Sequence, residues 1–258
     1  MAPADSETLF APLTREPAYT RVSSEIERKI MTRQLELGEL LPPETEIARQ
    51  FGVHRSTVRE ALRRLESAGL LSRRSGSKRM VVTRPDHSAV ASDLGRALLL
   101  GDVRFQDVWE AMMLIEPEIA ALAAERRRAE HLDSLGEVQR AFAASPNGDP
   151  QAVRLVGRFF ETMASAAGNP VLGLAAQPLV QLLEPSLAQM IDRVPQARRR
   201  IREAHTAILA AMERRDRDDA RQWTLKHVRD FRRGLELAGI AMSRAVAQRP
   251  AARRAAKR

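Results

Sequence analysis

The stretch from residue 40 to residue 84 constrains this chain more than any other. Leu40-Leu-Pro-Pro43 reads as a short extended connection, because a residue before proline is pushed out of the helical region. A short helix follows from about Glu44 to Phe51, with Ile47, Ala48 and Phe51 at helical spacing. Gly52 permits a tight turn, and Val53 can plug the crevice beyond it. The next helix runs from about Arg55 to Ala68. Its Val58, Ala61, Leu62 and Leu65 fall on one buried face, and Gly69 ends it. Leu70-Leu-Ser-Arg-Arg74 and Arg79-Met-Val-Val-Thr83 read as two strands joined by a turn at Ser75-Gly-Ser77. Upstream, a helix is expected from Thr20 to about Leu37, carrying Val22, Ile26 and Ile30 and stopped at Gly38. Helix, helix–turn–helix and hairpin, in that order, make a winged helix-turn-helix over residues 19–84.

The remainder reads differently. Residues 1–18 hold prolines and mixed charges with little periodicity and are expected to form a disordered arm. Residues 85–88 are a linker. From there to residue 243 the pattern is helical throughout, with segments near 88–100, 104–128, 130–143, 150–168, 170–190, 195–215 and 217–243. This predicts an antiparallel all-α bundle of six or seven helices. The fold class is thus mainly α: a winged helix-turn-helix with a small β-hairpin wing, then a helical bundle. Residues 244–258 are rich in Ala and Arg and are expected to be a basic, disordered tail. Uninterrupted apolar runs, such as Ala97-Leu-Leu-Leu100, are short for a bilayer, so no membrane role is expected.

Charge is unevenly placed. Of the net +9, residues 1–85 contribute +4, the tail 244–258 contributes +6 and the middle is −1. A basic front on a near-neutral middle suits a nucleic-acid module joined to something else. Between Val53 and Arg84 stand nine basic and two acidic residues. With the apolar face of the Arg55 helix turned inward, its outer face presents Arg55, Ser56, Arg59, Glu60 and Arg63. Arginine can fork onto guanine O6 and N7 or clamp a phosphate. Ser56 and Thr57 can donate to phosphate oxygens, and a helix N-terminus favours phosphate in its own right. The wing around Ser75 and Gly76 is a further backbone contact. There are no cysteines, which excludes a disulfide framework and thiolate metal sites and suits a cytoplasmic, nucleoid-associated protein.

The run Leu41-Pro-Pro-Glu-Thr-Glu-Ile-Ala-Arg-Gln-Phe-Gly-Val-His-Arg-Ser-Thr-Val-Arg-Glu-Ala-Leu-Arg-Arg-Leu-Glu-Ser-Ala-Gly-Leu-Leu71 resembles the signature of GntR-type transcriptional regulators. The resemblance implies operator contacts by Arg55, Ser56, Thr57, Arg59 and, in the wing, Gly76. Family members usually carry arginine where this chain has Thr45, so a contact from Thr45 departs from the family pattern.

The second part is similar to the FCD effector domain of the FadR subgroup of that family. The similarity is carried by Trp109-Glu-Ala-Met-Met-Leu-Ile-Glu-Pro-Glu-Ile-Ala120, by Phe159-Phe-Glu-Thr-Met-Ala-Ser-Ala-Ala-Gly-Asn-Pro170, and by Glu203-Ala-His-Thr-Ala-Ile-Leu209 with a later His227. Many such domains hold a divalent metal through an Asp, a His four residues on, and two later histidines. Here His205 and His227 keep the later pair, while Val156 and Phe160 stand at the earlier pair and Met112 near a family arginine. Two imidazoles alone make a poor site, so neither a divalent metal nor another cofactor is expected. Three alternatives stay open. The pocket persists and takes an apolar, acyl-type effector among Met112, Met113, Val156, Phe160, His205 and His227. It has collapsed into core, leaving an effector-independent or architectural DNA binder. Or a metal site is rebuilt from other residues.

The function expected is a sequence-specific regulator, a repressor controlled by a small-molecule effector. It would act as a homodimer on a palindromic double-stranded operator, because one recognition helix reads few base pairs. An enzyme is not expected: none of the five histidines sits in a nucleophile setting, and glycines occur singly rather than in a phosphate-cradling loop.

Overall fold

The structure is a computed structural model that describes residues 16–74, 76, 79–146 and 148–246. The expected arm before residue 16, the tail beyond residue 246, and Ser75, Ser77 and Lys78 of the wing lie outside the described residues. The chain forms two compact units, residues 1–86 and 87–258.

The first unit comprises α1 (Ala18–Met31), α2 (Glu44–Phe51), α3 (Arg55–Ser67), β1 (Leu71–Arg73) and β2 (Met80–Val82). Its core joins Val22 and Ile26 of α1, Ile47 of α2, Val58, Ala61, Leu62 and Leu65 of α3, and Leu71, Met80 and Val82 of the hairpin. The strands pair antiparallel, Leu71 opposite Val82 and Arg73 opposite Met80. The connection before α2 is more than a spacer. Leu41 N–H donates to the Met80 carbonyl (2.9 Å) and Val82 N–H to that of Glu39 (3.0 Å), so it lies along the outer edge of β2.

The first helix is shorter than the expected span to Leu37. Arg33 takes a left-handed conformation (φ 57°), with Arg33 N–H on the Ile30 carbonyl and Gln34 N–H on that of Lys29. This is the hydrogen-bond pattern that closes a helix, here without glycine. Gly38 (φ 86°) serves a later turn.

The second unit contains α4 (His87–Leu100), α5 (Phe105–Arg126), α6 (Ala129–Ala144), α7 (Gln151–Ala166), α8 (Pro170–Arg193), α9 (Ala197–Glu213) and α10 (Arg217–Leu237). Among the described residues, seven helices stand near where the periodicity predicted them; α5–α10 share one core, with Leu98 of α4 packed against it. Their starts are chemically marked. Asn169 Oδ1 accepts from Val171 N–H (3.1 Å) ahead of α8, and Asp216 caps α10 through Asp219 N–H (3.0 Å). Trp109 Nε1 donates to the Val228 carbonyl (3.0 Å), fixing α5 against α10. Uninterrupted apolar runs are short, yet α8 is 24 residues long and holds an 18-residue stretch with a mean hydropathy of 1.2, enough to cross a membrane by length and composition alone. It packs on α4, α5 and α7 within the bundle.

Two boundaries differ from expectation at the end of the chain. The last helix stops at Leu237 rather than 243, because Gly239 turns left-handed (φ 80°) and Ile240 N–H returns to the Leu235 carbonyl. Residues 244–246 are docked rather than loose. The carbonyls of Met242 and Arg244 accept from Gln106 and Phe105 N–H at the start of α5, and Val246 N–H donates to Val103 (2.8 Å). The segment after α10 thus satisfies the free donors of a helix N-terminus, a tertiary pairing with no local signal.

Candidate DNA-reading face and interior histidine site

On the first unit, α3 begins at Arg55 after an extended His54 that offers no side-chain cap, and no acid stands in its first turn. Its first N–H groups are therefore available to an anion. Arg55, Ser56, Arg59 and Arg63 are exposed along the outer face and Thr57 is half-buried. Arg55, Arg59 and Arg63, but not Ser56 or Thr57, border a cleft of about 370 Å³ together with Thr45 of α2 and Arg73 and Arg79 of the hairpin. Gly76 is exposed in the wing (φ 75°), a conformation that suits glycine.

Glu44, which sequence reasoning passed over, ties this face together. One carboxylate oxygen accepts from Arg55 Nε (2.9 Å) and Arg59 (3.1 Å). The Arg59 guanidinium, partly offset by desolvation and joined by Arg55, holds the Glu44 carboxyl below its usual range. The only local hint was an acid at the first position of a helix after two prolines. Two hairpin arginines were also underestimated. Arg73 pairs with Glu66 (3.3 Å), while Arg79 donates to the Leu41 carbonyl (3.1 Å) and so helps brace the wing.

In the second unit, His205 of α9 and His227 of α10 face the interior, 1% and 7% exposed. Their ring centroids are 5.2 Å apart at 70°. Phe160 stacks on His227 (5.7 Å), and Phe159, a residue the sequence did not single out, stacks on His205 at 3.8 Å. Burial, then the neighbouring His227, drives His205 well below the usual histidine range; burial brings His227 to about 4 against an opposing pull from Asp230. Both imidazoles are therefore neutral at pH 7.

The cavity beside them has a volume of only about 60 Å³. Met112, Val156, Phe160 and His227 line it. His205 lies beneath Phe159 outside the lining, and Met113 is half-buried elsewhere on α5. The residues present do not fit the metal that the fold family implies. No carboxylate joins the two imidazoles, His205 Nε2 is buried without a partner, and among the described residues no three His, Cys, Asp or Glu side chains gather to hold an ion.

Comparison with known proteins agrees with both halves. The model for bacterial regulatory proteins of the gntR family matches residues 18–81, and the FCD domain model matches residues 107–230. An HTH-type transcriptional regulator of Mycobacterium bovis is 31% identical over 195 residues, 73% of this chain and 80% of its own. The HTH-type transcriptional repressor NanR of Escherichia coli is 26% identical over 221 residues, 84% of each chain. Among solved structures, the Streptococcus agalactiae GntR superposes with a TM-score of 0.57 at 24% identity, covering 83% of this chain and 99% of that one, a likeness of fold.

Proposed function

This chain belongs to the GntR family of DNA-binding transcriptional regulators and carries an FCD domain, and from that premise we propose that it is an effector-controlled repressor acting as a homodimer on a palindromic operator. The observation that supports this reading best is the start of α3: uncapped, with no acid in its own first turn, and flanked by exposed Arg55, Ser56, Arg59 and Arg63. Arg55 and Arg59 read base edges, Ser56 and Thr57 hold phosphates, and Thr45 and Gly76 border the contact. Repression follows the named activity of NanR, and a cytoplasmic, nucleoid-associated location follows from binding DNA. The relatives are regulators, and no catalytic step is assigned to this chain.

The domain that takes the signal is the second unit, but an acyl chain beside the histidines has little support. Ligand pockets typically enclose roughly 300–1,000 Å³, and the space beside His227 is about 60 Å³. The aromatic filling there favours the collapsed reading of that particular pocket.

The test is a gel shift on DNA from upstream of its own gene, at physiological salt and with excess random competitor. Retention of the upstream fragment alone, weakened in Arg59→Ala, is expected. Equal retention of random DNA would instead identify an architectural binder.

A further inference from the structure

The second unit holds a larger cavity than the one beside the histidines. It is a cleft of about 480 Å³ between α7 and α8, open to solvent past the exposed Glu161, Ser165, Gly168 and Pro170, and it reaches Glu116 of α5; only Phe160 and Val180 border both spaces. Glu116 is 1% exposed, and no hydrogen bond reaches its Oε1. A buried carboxyl without a partner is costly, and burial pushes Glu116 up to about 8. Two more carboxylates, Glu161 and Glu184, line the same cavity. Burial, and then repulsion from Glu161, holds Glu184 above its usual range, with Arg154 opposing. No lysine or arginine lines this cavity, in a chain of net charge +9.

The α8 wall is interrupted by prolines. Pro178 and Pro185 lie inside α8 and have no N–H to give to the carbonyls four residues earlier, those of Leu174 and Gln181. Both of these residues border the cavity. Phe160 supplies an aromatic ring, whose face attracts cations. The lining is thus rich in acceptors and negative charge. Among the described residues no three carboxylates or imidazoles converge on one ion, so the acids are suited to a molecule longer than a metal ion.

We propose that this cavity binds a small organic polycation, with one ammonium group on Glu116 beside Phe160 and another held by Glu161 and Glu184. The ammonium gives Glu116 the partner it lacks and lets it ionise, its proton passing to solvent. That such a ligand is the regulatory effector rests on the reading above; the binding itself does not.

Calorimetric titration of the full-length protein with putrescine, and with the matching diol as control, tests the site. Saturable binding of the diamine and none of the diol is expected. Glu116→Gln, which keeps the volume, should weaken the diamine at least about tenfold. Glu161→Gln with Glu184→Gln, on the outer walls, should weaken it separately. Absence of diamine binding, equal binding of the diol, or unchanged affinity in Glu116→Gln with an unaltered thermal melt would overturn the proposal. If Glu116→Gln does not fold, the wall variant decides: unchanged affinity there overturns it. The operator gel shift, run without diamine, reports on the regulator reading alone.

Discussion

The imidazole of His205 lies flat on the ring of Phe159, with centroids 3.8 Å apart and planes 4° from parallel. A histidine held this way acts as an aromatic core residue. His205→Phe should therefore retain the fold, whereas His205→Ala should cost about 2–4 kcal/mol, the range for emptying a large buried site. Urea unfolding of the two variants separates these outcomes, and equal destabilisation would contradict the packing role.

Stability should also depend on pH through groups of opposite sign. The buried histidines titrate below their ordinary 6.5, with His227 near 4. Between those values the unfolded chain binds protons that the native protein refuses. Their contribution is intact above pH 6.5 and is lost as pH falls towards 4. Glu116 works the other way. Its ordinary value of 4.5 rises to about 8, so its contribution is intact below 4.5 and lost as pH rises towards 8. From pH 6.5 to 8, Glu116 should lower stability by roughly 2 kcal/mol. Denaturant melts of Glu116→Gln should lose that decline, and His205→Phe with His227→Phe should lose the acid-side one.

The shared carboxylate of Glu44 gives a prediction on the DNA-reading face. Glu44→Gln should release Arg55 and Arg59 and strengthen binding to random DNA while narrowing the margin for the operator. Arg59→Ala should weaken the operator by about 1–3 kcal/mol, roughly five- to a hundred-and-fiftyfold, and leave the state of assembly unchanged. Gel shifts against both DNAs, with sedimentation for the assembly, check the pair.

Gly234 of α10 sits where a methyl group would run into the Sδ of Met190 on α8. Glycine to alanine within a helix ordinarily stabilises, yet here Gly234→Ala should cost about 1–3 kcal/mol by overpacking. Met190→Ala in the same chain should recover part of the loss; thermal melts of the single and double variants measure it.

Much of this architecture was legible because it is periodic. Val58, Ala61, Leu62 and Leu65 repeat at helical spacing and are all buried, and Gly168-Asn-Pro170 announces the α8 cap. What stayed hidden depends on partners distant in the chain. Glu44 reads as an ordinary first-turn acid until α3 places two arginines on it. Glu116, between Ile115 and Pro117, reads as a surface charge until α5, α7 and α8 enclose it. Arg33 reads as an interior helical residue, although it adopts the left-handed turn that ends α1. Residues 244–246 look like the start of a tail until the Arg244 carbonyl accepts from Phe105 of α5 and Val246 N–H donates to Val103. Of the interior site, the inward direction of the histidines was readable, because His205 repeats at helical spacing with Ile201, Ile208 and Met212, and His227 with Thr224 and Val228; the Phe159 stack and the small volume were not.

Two interior prolines leave α8 with two rungs missing from its ladder. A helix bends most readily where such a rung is absent, because no hydrogen bond has to break first. The cavity facing Glu116 is therefore walled by a helix with built-in joints, and a molecule wedged against α7 would press on those joints. Occupancy would be read as curvature along α8, a mechanical quantity, rather than as the rearrangement of a rigid block.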